Sequence, residues 1–194
     1  MTPLAAHDAQ SRRAAGSPQR RGQIRTRKAS LPDAAAIHAL VLSYSREGTL
    51  LPRTLSEICE NVRDFTVVER KGEIIGCGAL HLYGLHLAEV RSIAVARAAQ
   101  KQGAGSKLID ALLDEAHDHQ VSQVCLFTRS PQFFGKLGFV EVPHASLPDK
   151  IFKDCRTCPM FDKCDETAMV YAGTASEIAA DDEVVERPVL RMMS

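Results

Sequence analysis

Neither sign of charge predominates in this sequence: 24 lysines and arginines balance 24 aspartates and glutamates over 194 residues. General electrostatic attraction to nucleic acid or to an anionic membrane surface is therefore not indicated. No apolar run approaches the roughly 18 residues that cross a bilayer, and the first residues lack the apolar core of a secretory signal. The expectation is a cytoplasmic chain of one domain with a proper core. Its six cysteines then read as reduced thiols or metal ligands. Also missing are a Gly-Lys-Ser/Thr phosphate loop and a G-x-G-x-x-G fingerprint, which excludes nucleotide binding of those two kinds.

What the sequence does hold is a strand, a glycine loop and a helix between Leu87 and Leu113. Val90-Arg91-Ser92-Ile93-Ala94-Val95 is an apolar run, and Leu108, Ile109, Leu112, Leu113 and Ala116 recur at helical spacing. Between them lie Gln100, Lys101, Gln102, Gly103, Ala104, Gly105 and Ser106. Two glycines remove the Cβ atoms that would hold a ligand away from the backbone. The loop amides and the positive end of the helix then converge on one point, where phosphate oxygens are bound well.

Along the chain, residues 1–23 are expected to form a disordered tail, since they are polar and show no apolar period. Ile24 to Lys28 fits a first strand. Ser30 and Asp33 form a capping box before Ile37, Leu40, Val41 and Tyr44. Thr54 and Glu57 form a second box, opening a helix that buries Leu55, Ile58, Cys59 and Val62. Phe65–Glu69, Glu73–Tyr83 and Leu87–Ala96, joined by turns at Lys71-Gly72 and Gly84, predict an antiparallel meander. Gln123–Thr128 reads as a buried parallel strand, Pro131–Leu137 as a short helix, Phe139–Val142 as the beginning of another strand and Glu166–Tyr171 as the last strand. A long connection spans 143–165, and residues 174–194 read as a flexible acidic tail.

The run Gln100-Lys101-Gln102-Gly103-Ala104-Gly105 resembles the Q/R-x-x-G-x-G/A signature of the GCN5-related N-acetyltransferase (GNAT) family. Further segments are similar to its amino-acid acetyltransferase branch, the N-acetylglutamate synthases in their short single-domain form. These are Gly48–Arg53, Phe65–Glu69, Gly76–Leu80, Ala88–Val95, Leu126–Ser130 and Phe133–Phe139. The resemblance covers residues 24–173 and implies an α/β (α+β) GNAT fold. That fold has a mixed central sheet of about seven strands, a splay between the fourth and fifth, and about four flanking helices. It also implies an acyltransferase that moves acetyl from acetyl-CoA to the α-amine of L-glutamate in a ternary complex, the first step of arginine biosynthesis. The alternatives are another acceptor (glutamine or a protein amine) or a non-catalytic sensor of acetyl-CoA or an amino acid.

By this resemblance, residues Gln100–Ser106 hold the cofactor diphosphate, while the backbone of Ile93, Ala94 and Val95 holds the pantetheine arm. The Val95 amide also faces the thioester oxygen. Phe134 stands where many members have the tyrosine that protonates the departing thiolate, so another group or water must do so. Glu89 shares a strand face with Arg91 and Ile93. It is the candidate general base, the other reading being an ion pair with Arg91. A substrate with two carboxylates calls for arginines; the candidates are Arg53, Arg91 and Arg129, with Ser130 adding a hydroxyl. Cys155, Cys158 and Cys164 have C-x₂-C-x₅-C spacing. They read as a structural zinc site short of one ligand, as free thiols, or as a redox pair. The partner is a small-molecule substrate, not nucleic acid or membrane; subunit number stays open, a homodimer included.

Overall fold

The computed structural model describes residues 23–173. The tails expected over 1–23 and 174–194 therefore lie outside the described residues, residue 23 excepted. The chain forms β1 (Ile24–Lys28), α1 (Ala34–Arg46), α2 (Leu55–Glu60), β2 (Phe65–Arg70), β3 (Glu73–Gly84), β4 (Leu87–Val95) and α3 (Ala104–Asp118). There follow β5 (Val124–Thr128), α4 (Pro131–Gly135), β6 (Phe139–Glu141), α5 (Pro148–Lys153) and β7 (Thr167–Tyr171). The strands make one seven-stranded sheet in the order β1-β2-β3-β4-β5-β7-β6. β4 and β5 run parallel; the other neighbours are antiparallel. No helix among the described residues is long and apolar enough to cross a membrane.

Strand periodicity sorts the core into two layers. Val67 faces α1 with Ile37, Val41, Cys77 and Ala79. Val68, one residue on, faces α3 with Leu80, Leu108, Ile109 and Leu112. All three of these α3 side chains are fully buried, each contributing about 1.5–3 kcal/mol by leaving water. The entry to α1 is fixed locally: the Ser30 amide and hydroxyl both donate to Asp33 at 2.8 Å. Arg27 closes on the same carboxylate at 2.7 and 2.9 Å and holds it well below the usual carboxylate range. The β2–β3 hairpin turns through Lys71 and Gly72, whose φ values of 54° and 82° match the twist of the flanking strands.

Three expectations need correction. The 143–165 connection contains α5, which raises the count to five α-helices among the described residues. None of its six residues is buried, so it has no apolar stripe to read. Leu55 is 45% exposed rather than buried, and Val62 belongs to a separate 3₁₀ turn, Val62–Asp64. The helix expected over Pro131–Leu137 stops at Gly135.

The feature that makes the site is the parting of β4 from β5. Their pairing is confined to Ala88↔Val124 and Glu89↔Cys125. Beyond it, Ser92 adopts φ 55° and the β3–β4 register shifts between Cys77 and Ala79. This bulge bends β4 away. Gly78 sits opposite, where a Cβ would come within 2.3 Å of Ile93 Cδ1 and 3.2 Å of Leu112 Cδ1, so a larger residue there would make the Ile93 side chain shift.

Candidate functional site

Between the parted ends of β4 and β5 lies a cleft of about 350 Å³. Ile93, Val95, Lys101, Gly105, Arg129 and Phe134 are among its walls. Alternation along β4 decides which backbone groups face it. Ala96 N–H donates to Ile75 O at 2.8 Å, on the β3 side, so the preceding Val95 N–H points to the opposite edge. The Val95 carbonyl accepts from the Tyr44 hydroxyl at 2.5 Å. Tyr44 in turn accepts from Gln100 Nε2 at 2.6 Å, so one buried phenol ties the strand end to the glycine loop.

At the other end of the cleft, Gly103 caps α3 with φ 83°. A Cβ there would meet nothing within 4 Å, so its need for glycine is conformational. No side chain caps the helix, and the first-turn amides have no intrahelical acceptor. At Gly105 a Cβ would lie 3.0 Å from Phe133 Cζ, the far end of a ring that is 38% exposed. The Gln102 side chain turns away, donating to Ala98 O at 2.7 Å. Of the residues expected to hold a diphosphate, Gln100 to Ser106, the cleft walls include Gln100, Lys101 and Gly105.

Of the expected arginines, Arg91 and Arg129 line the cleft and Arg53 does not. Arg53 Nε donates to Ser92 Oγ at 3.1 Å; burial, then the neighbouring Arg91, lowers its guanidinium pKa. Arg91 reaches Asp154 at 3.5 Å. Arg129 bonds Asp165 at 2.7 Å and Thr49 O at 3.1 Å, with Glu166 at 3.4 Å. Ser130 N donates to Thr128 Oγ1 at 2.9 Å, and Ser130 lines the cleft. Phe133 and Phe134 both line it too.

Glu89 is 3% exposed, and its nearest cation is not the expected Arg91, which lies 3.9 Å away. Lys150 approaches it at 2.9 Å, and Tyr83 Oη lies 2.9 Å from it and 2.5 Å from Asp154. Lys150 also reaches Asp154 at 3.0 Å. Burial alone would lower the Lys150 pKa, but Glu89 and Asp154 outweigh it and the net shift is upward. Burial, with Glu89 next, raises the Tyr83 phenol above its ordinary range. Sequence reasoning missed Tyr83, Asp154 and the position of Lys150: the residues of the pairs Tyr83–Asp154 and Glu89–Lys150 are 71 and 61 residues apart, and no local pattern joins them. Tyr44 and Glu166 were missed for the same reason.

The three loop cysteines line a second cavity of about 100 Å³, which shares Phe127 and Glu166 with the cleft. Cys158 Sγ accepts the Met160 amide at 3.4 Å. Among the described residues no three Cys, His, Asp or Glu side chains assemble into a metal-ligand set, so these thiols do not fit the zinc reading, and all six cysteines are free. Burial pushes the thiols of Cys77 and Cys125 up to about 12, which leaves both inert. His86 pairs with Asp149 at 2.8 Å on the surface, away from the cleft walls.

An acetyltransferase (GNAT) domain model matches residues 61–141. An uncharacterized N-acetyltransferase of Chlorobaculum tepidum, CT2212, is 38% identical over 144 residues, 74% of this chain and 93% of that one. The amino-acid acetyltransferase of Mycobacterium tuberculosis is 35% identical over 135 residues, 68% and 77% of the two chains. Among solved structures, Rv2747 of Mycobacterium tuberculosis, crystallised with CoA and a second ligand, superposes with a TM-score of 0.66 at 30% identity, over 75% of this chain and 97% of its own. N-acetylglutamate synthase of Neisseria gonorrhoeae, complexed with coenzyme A and L-arginine, gives 0.64 at 25% identity, over 76% and 32% of the two chains.

Proposed function

This chain belongs to the GNAT acetyltransferases, and from that premise we propose that it acetylates the α-amine of L-glutamate with acetyl-CoA, by direct transfer in a ternary complex. The observation that carries the reading is the polarity of the cleft: free helix-terminal amides at one end, half-buried arginines at the other, and the splayed β4 backbone between. Relatives named amino-acid acetyltransferase and N-acetylglutamate synthase support the acceptor. The step then stands at the head of arginine biosynthesis, as the family resemblance implies.

In this reading the amides of residues 102–106 take the diphosphate and the Ile93–Val95 backbone pairs with the pantetheine arm. Holding thioester and amine in line supplies roughly 7–11 kcal/mol of the barrier reduction. The acceptor ammonium gives one proton to Glu89 through water. The freed lone pair forms the C–N bond, and the carbonyl electrons move to oxygen, where the Val95 amide donates to them. Tyr44, holding the Val95 carbonyl at 2.5 Å, fixes the next peptide along and so steadies the residue that carries the amide. When the C–S bond breaks, the second nitrogen proton passes through water to the thiolate, since neither Phe133 nor Phe134 can donate one. The products are N-acetylglutamate, CoA thiol and one proton on Glu89, released to solvent.

Glutamine is the second acceptor to test, because Asp165 and Glu166 already lie against Arg129 and offset part of the charge that would hold a second carboxylate. Thiol release measured across amino acids decides: glutamate should give the highest kcat/KM, and absence of turnover with every amino acid sinks the proposal. Arg129→Ala should raise the KM for the amino acid about tenfold or more with little change in that for acetyl-CoA. Equal effects on both would show that Arg129 only braces the fold.

A further inference from the structure

Among the described residues, Glu166 is the one acid that lines the cleft, and the protein pairs it loosely. It stands where β7 begins and lines both cavities, with only 23% of its side chain exposed. Its carboxylate accepts from Arg129 at 3.4 Å, beyond the distance of a good charge-assisted hydrogen bond. Nor does Arg129 need it. The guanidinium is already fixed by Asp165 at 2.7 Å and the Thr49 carbonyl at 3.1 Å. His144 bonds the backbone oxygen of Glu166, not its carboxylate. Burial raises the carboxyl pKa despite Arg129 and Lys150. A desolvated acid without close donors gains most from an arriving cation.

We propose that Glu166 receives the α-ammonium of the acceptor while Arg129 beside it takes a carboxylate, so that the pair reads the zwitterion of a free amino acid. The inference rests on the acceptor reading above and deepens it. It makes Glu166 a specificity-determining residue: a dicarboxylate with no amine binds without its help, and an amine without a neighbouring carboxylate forfeits Arg129. Proton removal stays with Glu89. Lys150, whose charge acts on both carboxylates, keeps the two acids apart in role, since it hydrogen-bonds Glu89 and not Glu166.

The test compares glutamate with glutarate, the same dicarboxylate lacking the amine, in the unsubstituted protein and in Glu166→Gln, with thermal melting to verify folding and Glu166→Asp as the charge-retaining control. The expected result is a KM for glutamate raised about ten- to hundredfold in Glu166→Gln. The inhibition constant of glutarate and the KM for acetyl-CoA should be unchanged, and Glu166→Asp should recover part of the loss. Equal weakening of glutamate and glutarate would mean that Glu166 merely orients Arg129 and would overturn the inference, as would no change in either. Those outcomes leave glutamate acetylation by the unsubstituted protein intact, whereas an unsubstituted protein that acetylates no amino acid overturns both readings together.

Discussion

Replacing Glu89 with glutamine is expected to lower kcat about 10²–10⁴-fold, the usual worth of a positioned general base, with the KM for acetyl-CoA nearly unchanged. Removing one member of a buried ion pair normally costs about 3–5 kcal/mol because a charge is left uncompensated. Here Lys150 keeps Asp154 at 3.0 Å, and the amide oxygen that Glu89→Gln introduces can still accept from Tyr83. The fold should therefore survive, and the loss should appear in turnover. The measurement is the pH–rate profile of kcat/KM: its acid limb should vanish in the variant. A profile identical in shape and height would assign Glu89 to the Lys150–Asp154–Tyr83 network alone. Lys150→Met supplies the contrast, because it removes the cation nearest to Glu89 while leaving the carboxylate, and should damage stability more than Glu89→Gln does.

How much of this was legible beforehand depends on the range of the interaction. Helix starts written into four residues were readable, since the Ser30–Asp33 and Thr54–Glu57 boxes both form. So was the strand–loop–helix around Gly103, because apolar period and glycine spacing are local signals. α5 was not, since its six residues expose every side chain to some degree and it is held through Lys150 by partners on β4. The same physics hid the partner of Glu89. Strand geometry correctly gave it a buried, paired position, and the residue next along its face, Arg91, was the natural partner to name. The nearer cation comes from a helix 61 positions away, and only the folded chain brings it in. The cysteine spacing was visible too, yet spacing alone does not converge ligands: the three thiols share a cavity wall without forming a ligand set.

A charge placed in the glycine loop separates binding from folding. Gly105→Asp is expected to weaken acetyl-CoA at least about 10²-fold. A carboxylate about 5 Å from each diphosphate charge costs on the order of 3 kcal/mol per charge at an effective dielectric near 20, and salt lowers this only in part within a half-enclosed cleft. The same substitution suits the helix: Gly105 is the second residue of α3, where an acidic side chain favours the positive end of the dipole and replaces a residue that disfavours helix. The added Cβ, 3.0 Å from Phe133 Cζ, meets the mobile end of a ring that is 38% exposed and can yield. The melting temperature should thus hold or rise while calorimetric binding of the coenzyme is lost. Gly105→Ala isolates the steric part and should cost less than about tenfold. If the aspartate variant bound coenzyme within about threefold of the unsubstituted protein, the diphosphate would have to sit elsewhere, and the cleft would lose the end that orients everything placed in it.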